Sequence, residues 1–428
     1  MICKIYKINE IQQFLSRLAE RSVAIDSELL KFVQSIVDDV RARGDRALID
    51  CAARFDGVDL KPSELRINED QLRRFAERVD ERVVQALRQA IRNVRVFHER
   101  QLEESWTINT AEGIQLGQRI TPLDRAGVYV PGGTAAYPSS VVMNVVPAQV
   151  AGVERIVVTT PPRTLSENPA IAAALLELNV NEVYAVGGAQ AIAALAFGTE
   201  TVPCVDKITG PGNKYVAAAK KLVFGVVGID AIAGPTEILI IADDTARADF
   251  IAADLLAQAE HGEDASAVLI TNSELLATNV TREVDRQLES LPRREIVEAS
   301  LKEYGGIILV ETLVDACSIV NELAPEHVEI ITGDDEAIAA QIRHAGAIFF
   351  GAYTPEAVGD YIAGPNHVLP TGRTARFSSA LGVYDFVKRT SLLRYSDEAF
   401  ASVAESVAVL AESEGLAGHA RSALIRRH

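Results

Sequence analysis

The fold class of this chain is decided by the segment Glu182-Val183-Tyr184-Ala185-Val186-Gly187-Gly188-Ala189-Gln190-Ala191-Ile192-Ala193-Ala194-Leu195-Ala196-Phe197. It opens with mostly apolar residues, several of them β-favouring, which predict a buried strand. Two glycines then mark a tight turn, and an alanine-rich run typical of a helix follows. A strand, a glycine turn and a helix in direct succession form the repeating unit of a parallel sheet that is covered on both faces.

The same alternation continues on both sides of this segment. The first series of predicted strands comprises Gly127–Val130, Arg155–Thr160, Glu182–Val186 and Lys207–Thr209. Its predicted helices are Ser139–Val150, Pro169–Leu178, Ala189–Phe197 and Asn213–Phe224. A second series of strands follows at Glu237–Ala242, Ala265–Thr271, Gly306–Val310, His327–Thr332 and Ala347–Phe350. The chain is therefore predicted to be an α/β protein with two parallel-sheet, incomplete Rossmann-like domains.

Both ends of the chain are predicted to be helical. Apolar residues recur at helical spacing in Ile8–Ala19, Ser27–Arg43, Gly44–Phe55 and Asp80–Leu102, and again from Asp397 onward. We predict an N-terminal helical extension at 1–24 and a C-terminal helical tail at 382–428. Between them lies a large α/β domain formed by 25–128 and 237–381, with a Rossmann-like domain inserted at 129–236.

Composition restricts the class of protein further. The 428 residues are 48% hydrophobic and 24% charged, which is typical of a globular protein, and the net charge of −17 argues against a nucleic-acid or anionic-membrane partner. The N-terminus lacks a signal-peptide core and no apolar run reaches spanning length, so we predict a soluble cytoplasmic protein. The four cysteines form no CxxC pair, which suits a reducing compartment and gives neither a disulfide framework nor a thiolate zinc site: Cys3, Cys51, Cys204 and Cys317.

A possible metal site lies in Gln258-Ala259-Glu260-His261-Gly262, at the end of an amphipathic helical run. A helix through this segment places Gln258 and His261 on one face, where an amide oxygen and an imidazole can share a metal ion. The alternative is an ordinary helix end, because caps and polar faces use both residue types freely.

Three glycine-rich turns follow or precede predicted elements: Pro131-Gly132-Gly133-Thr134, Gly187-Gly188-Ala189-Gln190 and Gly210-Pro211-Gly212-Asn213-Lys214. Turns of this type at helix N-termini direct backbone N–H groups at an anion. None contains a strict G-x-G-x-x-G, so tight strand-to-helix turns remain the alternative for each. Three of them at successive strand ends favour a dinucleotide site.

Two further polar clusters and the tail complete the candidates. In Ala324-Pro325-Glu326-His327, the proline disfavours helix for Ala324, so Glu326 and His327 are predicted at a loop-to-strand junction. A neighbouring carboxylate and imidazole can act as general base and partner, or can form a solvated polar turn. Asp360 and His367 lie in the glycine-bounded segment 359–367, and His419 lies in the tail. Cys204 and Cys317 are interpreted as buried small hydrophobes rather than nucleophiles.

Together these stretches resemble the histidinol dehydrogenase family, whose members use zinc and NAD. The resemblance covers nearly the whole chain from about Gly127 to His419, in family order. The matching segments are 129–133, 187–199, 210–213, 233–237, 258–261, 324–327, 359–361 and 366–370.

The resemblance implies roles for individual residues. Zinc ligands correspond to Gln258, His261, Asp360 and His419, with the last supplied by the partner subunit of a homodimer. Glu326 and His327 correspond to acid/base residues, and the NAD contacts correspond to Tyr129, Gln190 and Asn213. The substrate contacts correspond to Thr236, Gln258, His261, His327, Asp360, Glu414 and His419, with His367 nearby. Thr236 departs from the serine usual in relatives but keeps the hydroxyl.

The implied reaction is a two-step, NAD-dependent oxidation of L-histidinol to L-histidine through the aldehyde. His327 would take the alcohol proton, and Glu326 would then activate water. One Zn²⁺ per subunit is implied; because the ligand set lacks cysteine, Mn²⁺ or Co²⁺ are plausible substitutes. Two alternatives stay open: a relative that oxidises another polar alcohol, such as a sulfonated diol, and a non-catalytic metal- or nucleotide-binding protein.

Overall fold

The computed structural model describes residues 2–21, 25–132 and 137–427. Gly133 and Thr134 of the first glycine-rich turn lie outside the described residues. The strands are β1 (Ile5–Lys7), β2 (Arg66–Ile67), β3 (Trp106–Asn109), β4 (Ile114–Pro122), β5 (Arg125–Tyr129), β6 (Arg155–Thr160), β7 (Glu182–Ala185), β8 (Lys207–Thr209), β9 (Gly228–Ile229), β10 (Glu237–Ala242), β11 (Ser266–Thr271), β12 (Gly305–Leu309), β13 (His327–Ile331), β14 (Ala347–Phe350) and β15 (Val387–Tyr395).

The α-helices are α1 (Gln12–Glu20), α2 (Ser27–Arg43), α3 (Asp45–Cys51), α4 (Glu69–Ala76), α5 (Glu81–Glu99), α6 (Pro138–Ala151), α7 (Thr164–Glu167), α8 (Pro169–Glu177), α9 (Gly188–Phe197), α10 (Lys214–Val223), α11 (Ala248–Ala259), α12 (Glu274–Leu288), α13 (Arg294–Tyr304), α14 (Leu313–Leu323), α15 (Asp335–Ala339), α16 (Glu356–Tyr361), α17 (Asp397–Ser413) and α18 (Ala417–Leu424). Short 3₁₀ helices lie at Ile8–Glu10, Pro62–Glu64, Thr374–Arg376 and Val383–Asp385, and a π-helical turn lies at Ala52–Asp56. No described helix is both long enough and apolar enough to cross a bilayer.

Two six-stranded sheets organise the chain. Sheet one has the order β1-β12-β11-β10-β13-β14 and is parallel throughout. Sheet two has the order β2-β7-β6-β5-β8-β9 and is parallel except where the short strand β2 runs antiparallel to β7. The prediction of an α/β fold with two parallel sheets is confirmed.

The N-terminal residues include a strand of sheet one, whereas the sequence predicted a purely helical extension. Strand β1 pairs with β12, with Ile5 opposite Ile307. Helix α1 buries Phe14, Leu15 and Leu18 in the core on one face of the same sheet. The strand escaped prediction because three residues carry too little periodicity to identify an edge strand.

Helices α2 to α5 pack on sheet two, whereas the predicted boundaries placed 25–128 with the large domain. Val33 and Leu48 share a core with Ile192 of α9, and Leu72 and Val94 share another with Val158 of β6. The apolar faces of these helices are long enough to cover a neighbouring sheet, but their periodicity does not say which sheet. Elements between Ser27 and Ile229 therefore form and cover sheet two.

A third, antiparallel sheet with the order β15-β4-β3 connects to the tail. The segment 382–428 thus contains the strand β15 before α17 and α18, and this strand corrects the predicted all-helical tail. These strands are largely exposed and carry apolar side chains on their surface, including Trp106, Ile108 and Leu393. Their mixed polar and apolar sequence gave no strand signal as strong as that of the buried parallel strands.

Candidate active site and cofactor cavity

Glu326 and His327 lie where the sequence predicted a loop-to-strand junction. Helix α14 ends at Leu323, Ala324 adopts a left-handed conformation with φ of 47°, and His327 opens β13. A non-glycine residue in this conformation is uncommon and is often found at functional sites. The turn brings both side chains to the amino ends of β10 and β13, because Ile238 pairs with His327.

Glu326 is held by two donors from the start of β10. The Thr236 hydroxyl donates to Glu326 Oε2 over 2.5 Å, and the Glu237 amide donates to the same oxygen over 3.1 Å. Burial raises the pKa of Glu326 to about 7, while these hydrogen bonds act in the opposite direction. A carboxyl group that titrates near neutrality is suited to accept or donate a proton at working pH.

His327 is buried with a defined tautomer. Its Nδ1 lies 3.1 Å from the Glu237 carbonyl oxygen, which can only accept, so Nδ1 carries the hydrogen and Nε2 keeps a free lone pair. Burial lowers the pKa of His327, which keeps the ring neutral near pH 7. The same Nδ1 lies 3.7 Å from Glu326 Oε2 and 3.7 Å from Glu356 Oε1.

The predicted pair Gln258 and His261 lies at the end of α11. The helix stops at Ala259, one turn earlier than Gly262 suggested, and the His261 amide bonds the Gln258 carbonyl at 3.3 Å. His261 Nδ1 also lies 3.2 Å from that carbonyl oxygen, which leaves Nε2 available as a ligand atom. The pair converges through this turn rather than through a continuous helix face.

His261 and Asp360 join Glu356 in a cluster whose ligand atoms all lie within 4.8 Å of one another. His367 adjoins it, with its Nδ1 3.7 Å from Asp360 Oδ1. Glu356 was missed by the sequence analysis. The available signal was its i,i+4 spacing from Asp360, which puts both carboxylates on one face of α16.

The amide orientation of Gln258 bears on whether this cluster suits a cation. With its nitrogen toward Thr236 Oγ1 at 3.0 Å, its oxygen faces the Glu356 carboxylate, and two acceptors in contact require a proton or cation between them. With the amide turned over, its nitrogen donates to Glu356 at 2.6 and 2.8 Å. The second orientation suits a metal-free site, and the first exposes the oxygen that a metal would use.

Two more acids lie near Glu356, the buried Glu329 and the half-buried Asp254. Glu329, two residues beyond His327 on the same face of β13, accepts a hydrogen bond from the Glu356 amide at 2.7 Å. Burial raises the pKa of Glu329 and Glu356 well above the ordinary value, and raises that of Asp254 to about 6. So many desolvated carboxyl groups favour occupation of the cluster by a cation, which would compensate their charge.

The tail residues Glu414 and His419 are exposed on the hairpin of α17 and α18. Within the described chain, His419 does not belong to the cluster of His261, Glu356 and Asp360. Cys317 is buried as predicted, but Cys204 is exposed, which corrects its interpretation as a buried hydrophobe.

A separate cavity of about 560 Å³ lies at the carboxyl ends of the strands of sheet two and is lined by Tyr129, Gln190 and Asn213. The Tyr129 hydroxyl accepts a hydrogen bond from the Gly188 amide at 3.1 Å, at the start of α9. Asn213 caps α10, since its Oδ1 accepts from Tyr215 N and Val216 N, which leaves its amide nitrogen to bind a ligand.

Helix α6 begins six residues after the cavity-lining residue Gly132. Tyr137, its N-cap, lies close enough to Asp360 for that charge to raise its pKa, although burial is the larger cause. The three predicted cofactor residues thus share one cavity. Of the predicted catalytic and metal residues, Glu326, His327, Gln258, His261 and Asp360 lie together beside sheet one, whereas His419 does not join them within the described chain.

Comparison with known proteins shows the family to which the chain belongs. A family model described as histidinol dehydrogenase matches residues 19–427. Histidinol dehydrogenase of Bacillus subtilis strain 168 is 56% identical over 396 residues, covering 92% of each chain, and that of Neisseria gonorrhoeae is 51% identical over 418 residues, covering 97% of each. The crystal structure of histidinol dehydrogenase from Elizabethkingia anophelis superposes with a TM-score of 0.93 at 34% identity, covering 99% of this chain and 98% of that one.

Proposed function

The chain belongs to the histidinol dehydrogenase family, and from that premise we propose that it oxidises L-histidinol to L-histidine in two NAD-dependent steps. The observation that carries the proposal is the pairing of two buried groups, Glu326 with its raised pKa and His327 with its lowered pKa, beside the cluster of His261, Glu356 and Asp360. General acid–base chemistry at a polar alcohol needs such a pair within reach of an oriented substrate.

We propose that Gln258, His261, Asp360 and a partner subunit's His419 hold one Zn²⁺ per subunit, which Mn²⁺ or Co²⁺ can replace. The mixed oxygen and imidazole donors and the surrounding buried carboxyl groups support a divalent cation. Such a cation, when bound, orients and polarises the substrate. Thr236, His367, Glu414 and the ligand residues would surround the substrate, with Thr236 Oγ1 accepting a hydrogen bond from the Gln258 amide nitrogen.

His327 would take the alcohol proton on its free Nε2, and NAD, when bound, would supply the hydride acceptor for this step. Its Nδ1–H bond to the Glu237 carbonyl fixes the ring for this transfer and supports the positive charge that develops. Glu326 would then remove a proton from the water that attacks the aldehyde, and a second NAD, when bound, would supply the hydride acceptor for the second oxidation. The buried position of both residues keeps bulk water away from the aldehyde between the steps.

We further propose that NAD occupies the cavity lined by Tyr129, Gln190 and Asn213. The N-terminus of α9 supplies backbone amides and a positive dipole end for the pyrophosphate.

The tail is proposed to cross to a partner subunit in a homodimer. Its apolar side chains Leu410, Leu416 and Ile425 are exposed, as are Trp106 and Leu393 of the adjoining third sheet. Exposed apolar side chains on neighbouring elements favour burial against another surface. Three cysteines are buried and all four are free of disulfides, which supports a cytoplasmic location.

A substrate assay tests the proposal directly. Purified enzyme supplied with zinc, L-histidinol and NAD is expected to release two NADH for each histidine formed. A sulfonated diol, tested in parallel, is expected to give no comparable rate. Absence of histidinol turnover would refute the proposal, and turnover of the diol alone would assign the chain to the rival substrate class.

A further inference from the structure

One side chain in the cofactor cavity carries an unpaired hydrogen-bond acceptor. Asp56 lines the cavity with Tyr129 and Gln190, and its Oδ2 is buried without a hydrogen-bond partner among the described residues. Its charge reaches Tyr129, whose pKa is raised to about 12 by burial first and by Asp56 in addition. A buried acceptor left unpaired in a cavity is costly unless a ligand supplies the donor.

Aromatic side chains adjoin this acid. Phe55 and Phe32 meet edge to face with ring centroids 6.3 Å apart, and Phe32 meets Tyr215 at 6.0 Å. All three line the cavity, and Phe55 and Tyr215 remain 44% and 38% exposed. Aromatic surface beside a carboxylate matches the two parts of an adenosine, because a base stacks on rings and a ribose hydroxyl donates to an acid.

The backbone fixes Asp56 at this position. It is the last residue of the π-helical turn Ala52–Asp56, which Gly57 ends in a left-handed conformation with φ of 62°. Arg163 lies on the same wall and donates to the Gly57 carbonyl at 3.0 Å. Arg163 therefore stabilises the turn and places a cation near Asp56.

We propose that Asp56 selects NAD over NADP by accepting a hydrogen bond from the adenosine 2′-hydroxyl and by repelling a 2′-phosphate. This inference rests on the proposed function, which places NAD in this cavity. In a regular dinucleotide-binding fold the acid follows the glycine-rich turn by about 20 residues on the neighbouring strand. Here it comes from a helical turn that precedes sheet two in the chain, so motif spacing does not reveal it.

The neighbouring Arg163 leads to an expectation about NADP affinity. An arginine near the ribose is the group that accommodates the 2′-phosphate of NADP. With Asp56 present, its negative charge offsets that cation. Asp56→Asn leaves the cation unopposed, so the variant is expected to gain affinity for NADP while losing affinity for NAD. Adding Arg163→Gln is expected to abolish the gain.

Calorimetric titration of the full-length zinc-loaded protein with NAD, NADP and 2′-deoxy-NAD tests this without relying on turnover. The wild type is expected to bind NAD roughly 10- to 100-fold more tightly than 2′-deoxy-NAD, the range for a hydrogen bond to a charged acceptor. Asp56→Asn is expected to erase that difference and to bring NADP within a few-fold of NAD. Asp59→Asn, an exposed neighbour outside the cavity lining, is the matched control and is expected to behave as wild type.

The outcomes separate the inference from the proposed function. In one outcome, the wild type and Asp56→Asn both bind NAD and show the same preference for NAD over 2′-deoxy-NAD and over NADP. That result overturns the inference and leaves the NAD site standing. If the wild type discriminates neither analogue from NAD, the inference is overturned even where the Asp56 variant does not fold. If no nucleotide binds the wild type, both the NAD-dependent function and the role of Asp56 are refuted.

Discussion

The Thr236 hydroxyl donates to Glu326 Oε2 over 2.5 Å, and this contact joins the start of β10 to the turn that precedes β13. It brings a substrate-contact candidate and an acid/base candidate, ninety positions apart in the chain, into one hydrogen-bonded unit. Thr236 Oγ1 also lies 3.0 Å from the Gln258 side-chain amide, so the same hydroxyl connects Glu326, through Gln258, with the cluster of His261, Glu356 and Asp360.

The rate of histidine formation is expected to fall on the acid side of about pH 7. Burial raises the pKa of Glu326 to about 7, and only its deprotonated form can accept a proton from water. The lowered pKa of His327, which burial causes, favours the neutral ring near pH 7. Steady-state kcat measured against pH checks this. Glu326→Gln should lower kcat by roughly 10²- to 10⁴-fold, and its residual rate should lack the acid limb.

Thr236→Ala is expected to move the acid limb to higher pH. Its hydroxyl stabilises the charged carboxylate of Glu326, so removing it raises the pKa of that group further. Thr236→Ser keeps the donor and should leave the limb where it is, which makes it the matched control. A pH profile that is the same for the alanine and serine variants would show that the hydroxyl does not tune Glu326.

His327→Asn is expected to reduce turnover by several orders of magnitude while zinc content stays unchanged. Asparagine removes the free Nε2 base, and His327 lies outside the cluster of His261, Glu356 and Asp360. Initial rates and metal analysis of the same preparation measure both effects. His344→Asn, to which no role is assigned, is the control. Full activity in His327→Asn would favour the non-catalytic binding protein.

The sheets of this fold are well predicted from sequence because buried parallel strands are continuous apolar runs between glycine turns. Strands β10, β11 and β13 illustrate this, since every one of their residues is buried. The sheet against which a helix packs is not predicted by the sequence in this way. Nothing in the periodicity of α2 indicates that Val33 contacts the core around Ile192, because an apolar stripe fits either sheet.

The two sites differ in how well general rules predict their positions from the sequence. The cofactor cavity follows the rule that ligands bind at the carboxyl ends of parallel strands, and Tyr129 and Asn213 lie there. The proposed acid/base residues Glu326 and His327 instead lie at the amino ends of β10 and β13, where that rule predicts nothing. Glu356 was missed for a related reason, since α16 is six residues long and its carboxylates resemble an ordinary polar face.

Gly210→Ala is expected to destabilise the protein by at least ~2 kcal/mol. Gly210 has φ of +111°, and an added Cβ would lie 2.1 Å from the Tyr129 carbonyl oxygen, so the turn beside the cofactor cavity must shift. Gly225→Ala is the matched control, because its φ is +101° but nothing lies within 4 Å of an added Cβ. Denaturant unfolding should therefore show a loss of only about 1 kcal/mol for the control, the cost of the backbone conformation alone.

The tail carries the last prediction, that His419 serves the site of the partner subunit. His419→Asn should lower zinc content and turnover, and His261→Asn should do the same from within the site. In a homodimer with shared sites, a mixture of the two variants forms heterodimers in which one site has both histidines intact and the other has neither. Unfolding and reassembling the variants together should thus restore about a quarter of the wild-type activity, given random pairing. Each variant reassembled alone should stay inactive.

If His419 instead completed the site of its own chain, every site in the mixture would lack one histidine, and no activity would return. Unchanged zinc in His419→Asn would refute its role as a ligand altogether.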